Sequence, residues 1–392
     1  RNSANDGWID LRTLTGGVTS TADATLNSLT VGKGTNSVAG NTVLGQNALD
    51  ASVSGGNNTA VGLSALSALT SGTANTAVGQ NAMILNTTGT ENAAFGAIAL
   101  DANTTGSNNT ACGRSALGAN TTASNNTAVG YNALLSNETG TQNVAVGANS
   151  LDANTTADFN TAVGFAALGA NTTGSQNTGL GRGALNVNTT ASNNTAVGYH
   201  ALLSNTTGSA NTAIGDEALD SNTTASHNTA IGSDALGANT TGTQNTAVGA
   251  EALDANTTAN NNTALGYRAL TSNTTGAGNT GLGRGALFYN TTASNNTAVG
   301  YQALNVTETG ARNVAVGTFS LDANTTGGNN VAVGSHTLTN TTTASSNTAL
   351  GDGAMAATTT GASNTSVGRD ALVANTTGTN NVAVGAFSLD AN

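Results

Sequence analysis

Asparagine returns every 17 residues along this chain, from Asn41 through Asn58, Asn75 and Asn92 to Asn381, without a miss. Four residues after each stands a glycine, Gly45 through Gly385, so the array holds twenty-one copies with no insertion or deletion. A fixed period of this length marks a repeat architecture in which each unit buries its apolar face only against its neighbours. The consensus is Asn-Thr-Ala-Val-Gly-x-x-Ala-Leu-x-x-Asn-Thr-Thr-Gly-x-x, numbered below as positions 1 to 17.

The local pattern is that of strands and turns. Position 2 is usually Thr and becomes Val at Val144, Val314, Val331 and Val382, giving Val-Ala-Val segments with β-branched residues on one face and alanine on the other. This predicts a short strand. The Ala-Leu pair predicts a second short strand or an extended corner, and Asn-Thr-Thr-Gly is turn chemistry. Glycine and β-branched residues recur too often for a helix. There is no proline among 392 residues, which excludes collagen and leaves every backbone N–H free to join a ladder. Charged residues are 7% and aromatics 3%, too few for an ordinary globular domain with a large compact core. The expected fold class is therefore all-β: an elongated β-solenoid, or β-roll, of 17-residue coils. Equivalent residues should stack about 4.8 Å apart, and twenty-one coils give a rod of roughly 100 Å. The chain divides into an N-terminal leader, 1–40, serving attachment or as a collar, and a solenoid shaft, 41–392, whose last repeat is incomplete. It begins at Arg1 and stops within a repeat at Asn392, which reads as a piece of a longer or processed protein.

The repeat also suggests which positions lie inside. Position 4 is apolar in every copy, mostly Val, with Leu44, Ile214, Leu282, Phe95 and Cys112 among the variants. Position 9 is Leu in nineteen copies and Met in two, Met83 and Met355, a volume-conserving core exchange. Positions 4 and 9 are thus expected to form the core, with Cys112 as a small buried hydrophobe. Two large residues per coil make a thin core. The alanines of positions 3 and 8 would let another surface approach closely, so several chains are expected to pack along one axis through those faces. Position 15 alternates Gly and Ala from Gly106 to Gly310, and Asn177–Tyr199 closely matches Asn279–Tyr301, a sign of growth by tandem duplication.

Asn-Thr-Ala-Val-Gly and Asn-Val-Ala-Val-Gly resemble the Asn-Ser-Val-Ala-Ile-Gly motif of trimeric autotransporter adhesin heads, which are trimers of left-handed β-rolls. The period here is longer than theirs, so the turn is longer. The leader, Gly7-Trp8-Ile9-Asp10-Leu11-Arg12 followed by Ala22-Asp23-Ala24-Thr25-Leu26-Asn27-Ser28-Leu29-Thr30-Val31-Gly32, is similar to that of bacteriophage tail-fibre proteins, especially those of cyanophages. The resemblance implies a parallel homotrimer and a structural fibre shaft in a virion, a rigid spacer projecting a host-recognition tip. Implied partners are further copies of the chain, other tail or baseplate proteins on the N-terminal side, and host surface glycans. A bacterial surface adhesin or extracellular filament is the alternative, placing the chain on the bacterial cell surface rather than in the virion. An ice-binding solenoid is a further reading, weakened because the adjacent threonines of positions 13 and 14 would present only one outward.

Gly32-Lys33-Gly34-Thr35 lacks phosphate-loop spacing, and Gly181-Arg182-Gly183 and Gly283-Arg284-Gly285 fall in repeat register. Asp50, Asp101, Asp152, Asp220, Asp254, Asp322 and Asp390 share position 10 but never occupy adjacent coils, as expected of solvated acids that repel. The Asn-Thr-Thr triplets match the N-glycosylation sequon, but stacked Asn and Thr ladders are the expected role. His200, His227 and His336 form no metal or catalytic set. Tyr131, Tyr199, Tyr267 and Tyr301 share position 6 with Arg114, Arg182, Arg284 and Arg369, either as surface decoration or as a glycan- or partner-binding stripe. No acid, base or nucleophile set breaks the repeat, so no enzyme, metal or cofactor is expected. The net charge of -11 carries no basic footprint for nucleic acid, one cysteine permits no intrachain disulfide, and no apolar run is long enough for a membrane helix.

Overall fold

The computed structural model describes residues 23–26 and 28–390; the leader motif from Gly7 to Arg12 lies outside them. The chain forms two compact units, Arg1–Thr122 and Ala123–Asn392, and the described residues of each build an all-β solenoid of 17-residue coils from Asn41 onward. In the first, β1 (Ala24–Leu26) pairs antiparallel with β2 (Leu29–Gly32), which pairs antiparallel with β3 (Thr42–Gly45). From there β4 (Thr59–Val61), β5 (Thr76–Val78), β6 (Ala93–Phe95) and β7 (Thr110–Cys112) follow in parallel, each residue opposite the one 17 further on. The end of the leader thus lies along the first coil and covers its open edge. In the second unit sixteen three-residue strands, from Thr127–Val129 to Val382–Val384, repeat the same parallel register.

The ladder extends well beyond the strands. Thr229 N–H donates to Asn245 O at 2.9 Å, Gly249 to Ile231 O at 2.7 Å, Glu251 to Ser233 O at 2.9 Å and Leu236 to Ala252 O at 3.0 Å. Strand, turn and corner therefore all bond to the coils before and after, which is what a strictly constant repeat length permits. Turning the chain this tightly requires left-handed φ at positions 7, 9 and 17, as at Glu251 (55°), Leu253 (54°) and Asn261 (61°). Left-handed backbone at a leucine costs roughly 1–2 kcal/mol. Complete burial of the Leu253 side chain offsets that, contributing about 1.5–3 kcal/mol.

The expected core is half right. Leu at position 9 is inside in every coil but the last, where Leu389 is exposed, and Met83 and Met355 are fully buried with it. Position 4 is not inside: Phe95 and Leu265 are each 44% exposed, and Cys112 is exposed. The strand is turned over relative to expectation, with alanine at position 3 facing inward. The alanines of positions 3 and 8 are buried in their own coil, Ala230 and Ala235 among them, so they form no face for a neighbouring chain. The reason is steric. At Gly179, where most coils carry alanine, an added Cβ meets Ala184 O at 3.1 Å and Leu168 Cγ at 3.4 Å. The interior is one methyl deep at that point and has no room for the valine next door.

Two columns of asparagine run through the buried zone. At position 1, Asn228 Oδ1 accepts from Asn245 N–H at 2.9 Å and Nδ2 donates to Gly242 O at 2.8 Å. At position 12, Asn239 Nδ2 donates to Asn222 Oδ1 and to Gly242 O, both at 3.0 Å. A third column on the flank joins Thr240 Oγ1 to Thr257 O at 3.1 Å. These are the expected ladders, and where the asparagine of an Asn-Thr-Thr triplet stands at position 12 it is buried and offers no glycosylation acceptor in the folded chain, whereas Asn340, at position 11, is exposed. Thr307, Thr341 and Thr358 replace asparagine at position 12, and around Thr307 the column breaks on both sides, since neither Thr307 nor Thr341 supplies an amide to the coil before it. Asn290 Oδ1, Thr307 Oγ1 and Asn324 Oδ1, on three successive coils, are buried with no hydrogen-bond partner among the described residues.

Candidate ligand-binding stripe

Positions 6 and 7 follow the fixed glycine and lie where the coil leaves its strand. Their side chains project outward and stack on the equivalents one coil away. In the second unit this places Arg369 Cζ 4.9 Å from the Phe387 ring centroid and builds two further stacks in which arginine meets tyrosine. Arg182 Cζ lies 5.5 Å from the Tyr199 ring centroid and its Nη1 donates to the Tyr199 hydroxyl at 3.2 Å. Tyr199 in turn stacks on His200 at 3.7 Å. Six repeats on, Arg284 lies between Tyr267 at 5.9 Å and Tyr301 at 5.6 Å, and its Nη1 donates to the Tyr301 hydroxyl at 3.2 Å. Phe319 packs edge-on against Tyr301 at 5.3 Å and His336 follows Phe319 at 5.4 Å. The sequence placed these tyrosines and arginines in one column. The structure adds that arginine and the tyrosine of the next coil are partners.

Acids cluster between the two stacks. Asp220 and Asp254 share position 10 on either side of Gly237, and Asp234 lies on the coil between them. Burial, aided by the Asp234 charge, pushes both carboxyls above the usual range, and burial does the same for Asp101 and Asp152. At these four coils position 10 is half-buried rather than the fully solvated surface expected, while Asp50 and Asp390 are exposed. A carboxyl whose pKa is higher in the folded state holds its proton more tightly there. Its stabilising contribution is complete below the unfolded value and disappears as pH rises through the folded value. The melting temperature is expected to rise by a few degrees on going from about pH 7 to just above the ordinary carboxylate range, the effect staying small because these groups are partly solvated. Calorimetry across that range checks this, and the slope should flatten in a variant with Asp101, Asp152, Asp220 and Asp254 all changed to Asn.

The other candidates have structural roles. The amides of Lys33 and Gly34 donate to the two carboxylate oxygens of Asp23 at 2.6 and 2.7 Å, so this glycine-rich loop already holds an anion of its own. His336 Nδ1 is 2.9 Å from Ser335 Oγ, and His227 is exposed far from both other histidines. No group of three or more His, Cys, Asp or Glu side chains is placed to hold a metal ion among the described residues. Nor is any helix among them long and apolar enough to cross a membrane. No family model matches the chain, and no curated protein matches it in sequence.

Proposed function

We propose that this chain is a structural shaft of a virion tail or side fibre, a rigid spacer that projects a recognition tip and acts without catalysis. The observation that carries the reading is the constancy of the inter-coil bonding: backbone ladders in strand, turn and corner, with buried asparagine columns beside them, repeated coil after coil. Such bonding resists local opening and leaves few exposed backbone groups for a protease.

Association as a homotrimer is part of the proposal, now through a different face. Positions 2 and 4 point outward along the sheet, and neither carries a charged residue in any of the twenty-one copies. Solvated sheet faces normally carry charge, which guards against association. Here Ile231, Leu265 and Leu282 are 37%, 44% and 39% exposed on one continuous face. Native mass spectrometry before and after heating tests the proposal. A heat-resistant trimer that dissociates when Ile231, Val248 and Leu265 are all changed to Lys supports it; a stable monomer overturns the trimer.

One observation favours a second reading, ice binding. The outward threonines are those of position 2, such as Thr229, Thr246, Thr263 and Thr280, in a regular row on the sheet rather than in the turn. Thermal hysteresis of a monomeric chain would support that reading, and its absence would remove it.

A further inference from the structure

The duplicated stacks hold two matching recesses. The first, about 190 Å³, is lined by Phe165, Arg182, Gly183, Asn186, His200 and Leu203. The second, about 230 Å³, is lined by Tyr267, Arg268, Arg284, Gly285, Phe288 and Gln302. In each, an arginine at position 6 is followed by glycine at position 7, and the missing side chain opens the space beside the guanidinium. A Cβ on Gly183 would meet His200 Cδ2 at 2.8 Å, and one on Gly285 would meet Gln302 Cγ at 3.4 Å. The arginines Arg114 and Arg369 share position 6 but precede Ser115 and Asp370, so the combination occurs only twice in the sequence.

The recesses are furnished for a ligand. Phe165 in the first and Tyr267 in the second leave 52% and 41% of their surface exposed, offering aromatic rings to an occupant. Neither Arg182 nor Arg284 makes an ion pair among the described residues, whereas Arg268 is held by Glu251 at 2.7 Å. Each of the two guanidiniums is oriented by a tyrosine hydroxyl and keeps further N–H donors for a partner. A planar fork with free donors beside an aromatic face suits a carboxylate carried on a saturated ring that can lay an apolar C–H face on the aromatic. The recess volumes lie below the 300–1,000 Å³ or so of sites for larger ligands, which limits the occupant to about one ring. The coils between the two arginines carry Asp216, Glu217, Asp220, Asp234, Glu251 and Asp254, so a polyanion laid along the stripe is repelled. We infer that each recess binds a single carboxylated sugar ring, a terminal uronic acid of a saccharide, giving two independent sites per chain. The inference stands apart from the shaft reading, and its failure leaves that reading untouched.

The test is calorimetric and saturation-transfer NMR titration of the full chain with a disaccharide ending in glucuronic acid, beside the same disaccharide ending in glucose. Two sites per chain are expected, with the acidic probe bound at least tenfold more tightly. Gly183→Asn fills one recess and should halve the stoichiometry, and the Gly183→Asn/Gly285→Asn double variant should abolish binding. Asparagine holds the same position with similar φ at Asn132 (55°) and Asn149 (53°), so these variants should fold, as an unchanged melting curve would show. Arg182→Lys with Arg284→Lys keeps the charge, removes the fork and should weaken binding about tenfold. The inference is overturned if the glucose-ended probe binds equally well, if the double asparagine variant binds unchanged, or if polyuronate or single-stranded DNA binds more tightly than the disaccharide.

Discussion

Changing Gly249 to alanine is expected to destabilise the second unit by about 3 kcal/mol, a large effect for one methyl group. Two causes add. The backbone there has φ of 133°, a region essentially restricted to glycine, and holding another residue in such a region costs roughly 1–3 kcal/mol. The new Cβ would also lie 2.6 Å from both the carbonyl carbon and the oxygen of Gly266 on the next coil. That neighbour is backbone held in a ladder and cannot swing aside, so overpacking adds about 1–3 kcal/mol. Gly237→Ala is the control. Its φ is ordinary, the one close approach of its Cβ would be to the Asp254 carboxylate oxygen at 2.9 Å, which can rotate away, and Asp234 O lies at an ordinary contact distance of 3.4 Å. It should change stability by less than about 0.5 kcal/mol. Urea denaturation with hydrogen exchange of the coils around 249 measures both. Equal effects would show that the invariant glycine is not required by this contact.

The second large effect concerns the buried amides. Asn228→Asp preserves shape and keeps an oxygen to accept from Asn245 N–H. It also places a second oxygen against the Gly242 carbonyl, where Nδ2 now donates at 2.8 Å. A buried carboxylate in that place must carry a proton to make the bond, so its pKa is raised in the folded state. The variant should approach wild-type stability at pH below the unfolded value of the new carboxyl and lose stability as pH rises. A rise of two to three pKa units corresponds to about 3–4 kcal/mol at neutral pH. Asn228→Ala should instead lose about 2–4 kcal/mol at every pH, because Asn245 N–H is left unpartnered and Gly242 O keeps only the Asn239 amide of its two side-chain donors. Chemical denaturation of the two variants from acid to neutral pH separates these behaviours. A pH-independent aspartate variant would mean that the column is wetter than its complete burial implies.

Most of the fold could be read from the sequence because the repeat is so constant. The period set the coil, Val144-Ala145-Val146 located the strand, and the Leu/Met exchange at position 9 identified a true core position. The orientation of the strand could not be read. A period of two places Thr229 and Ile231 on one face and Ala230 on the other without saying which is inside. Hydrophobicity argued for isoleucine, and the narrow interior decided for alanine. The same limit misplaced Cys112 and the proposed face between chains. For the stripe, the shared column of Tyr199 and Arg182 was visible, since they are 17 residues apart. The recess was not, because it depends on a side chain missing at Gly183 and on how far His200 reaches across the gap.

The interrupted asparagine column at Thr307 gives the second unit a place to part. In a repeat array, cooperativity passes from coil to coil through nearest-neighbour contacts. Three orphaned buried atoms across the coils of Asn290, Thr307 and Asn324 weaken two successive contacts while the backbone ladder there stays intact, with Glu308 N–H still bound to Thr325 O at 3.0 Å. Under tension or heat, rupture is expected to begin here, leaving the coils before Asn290 as a folded remnant.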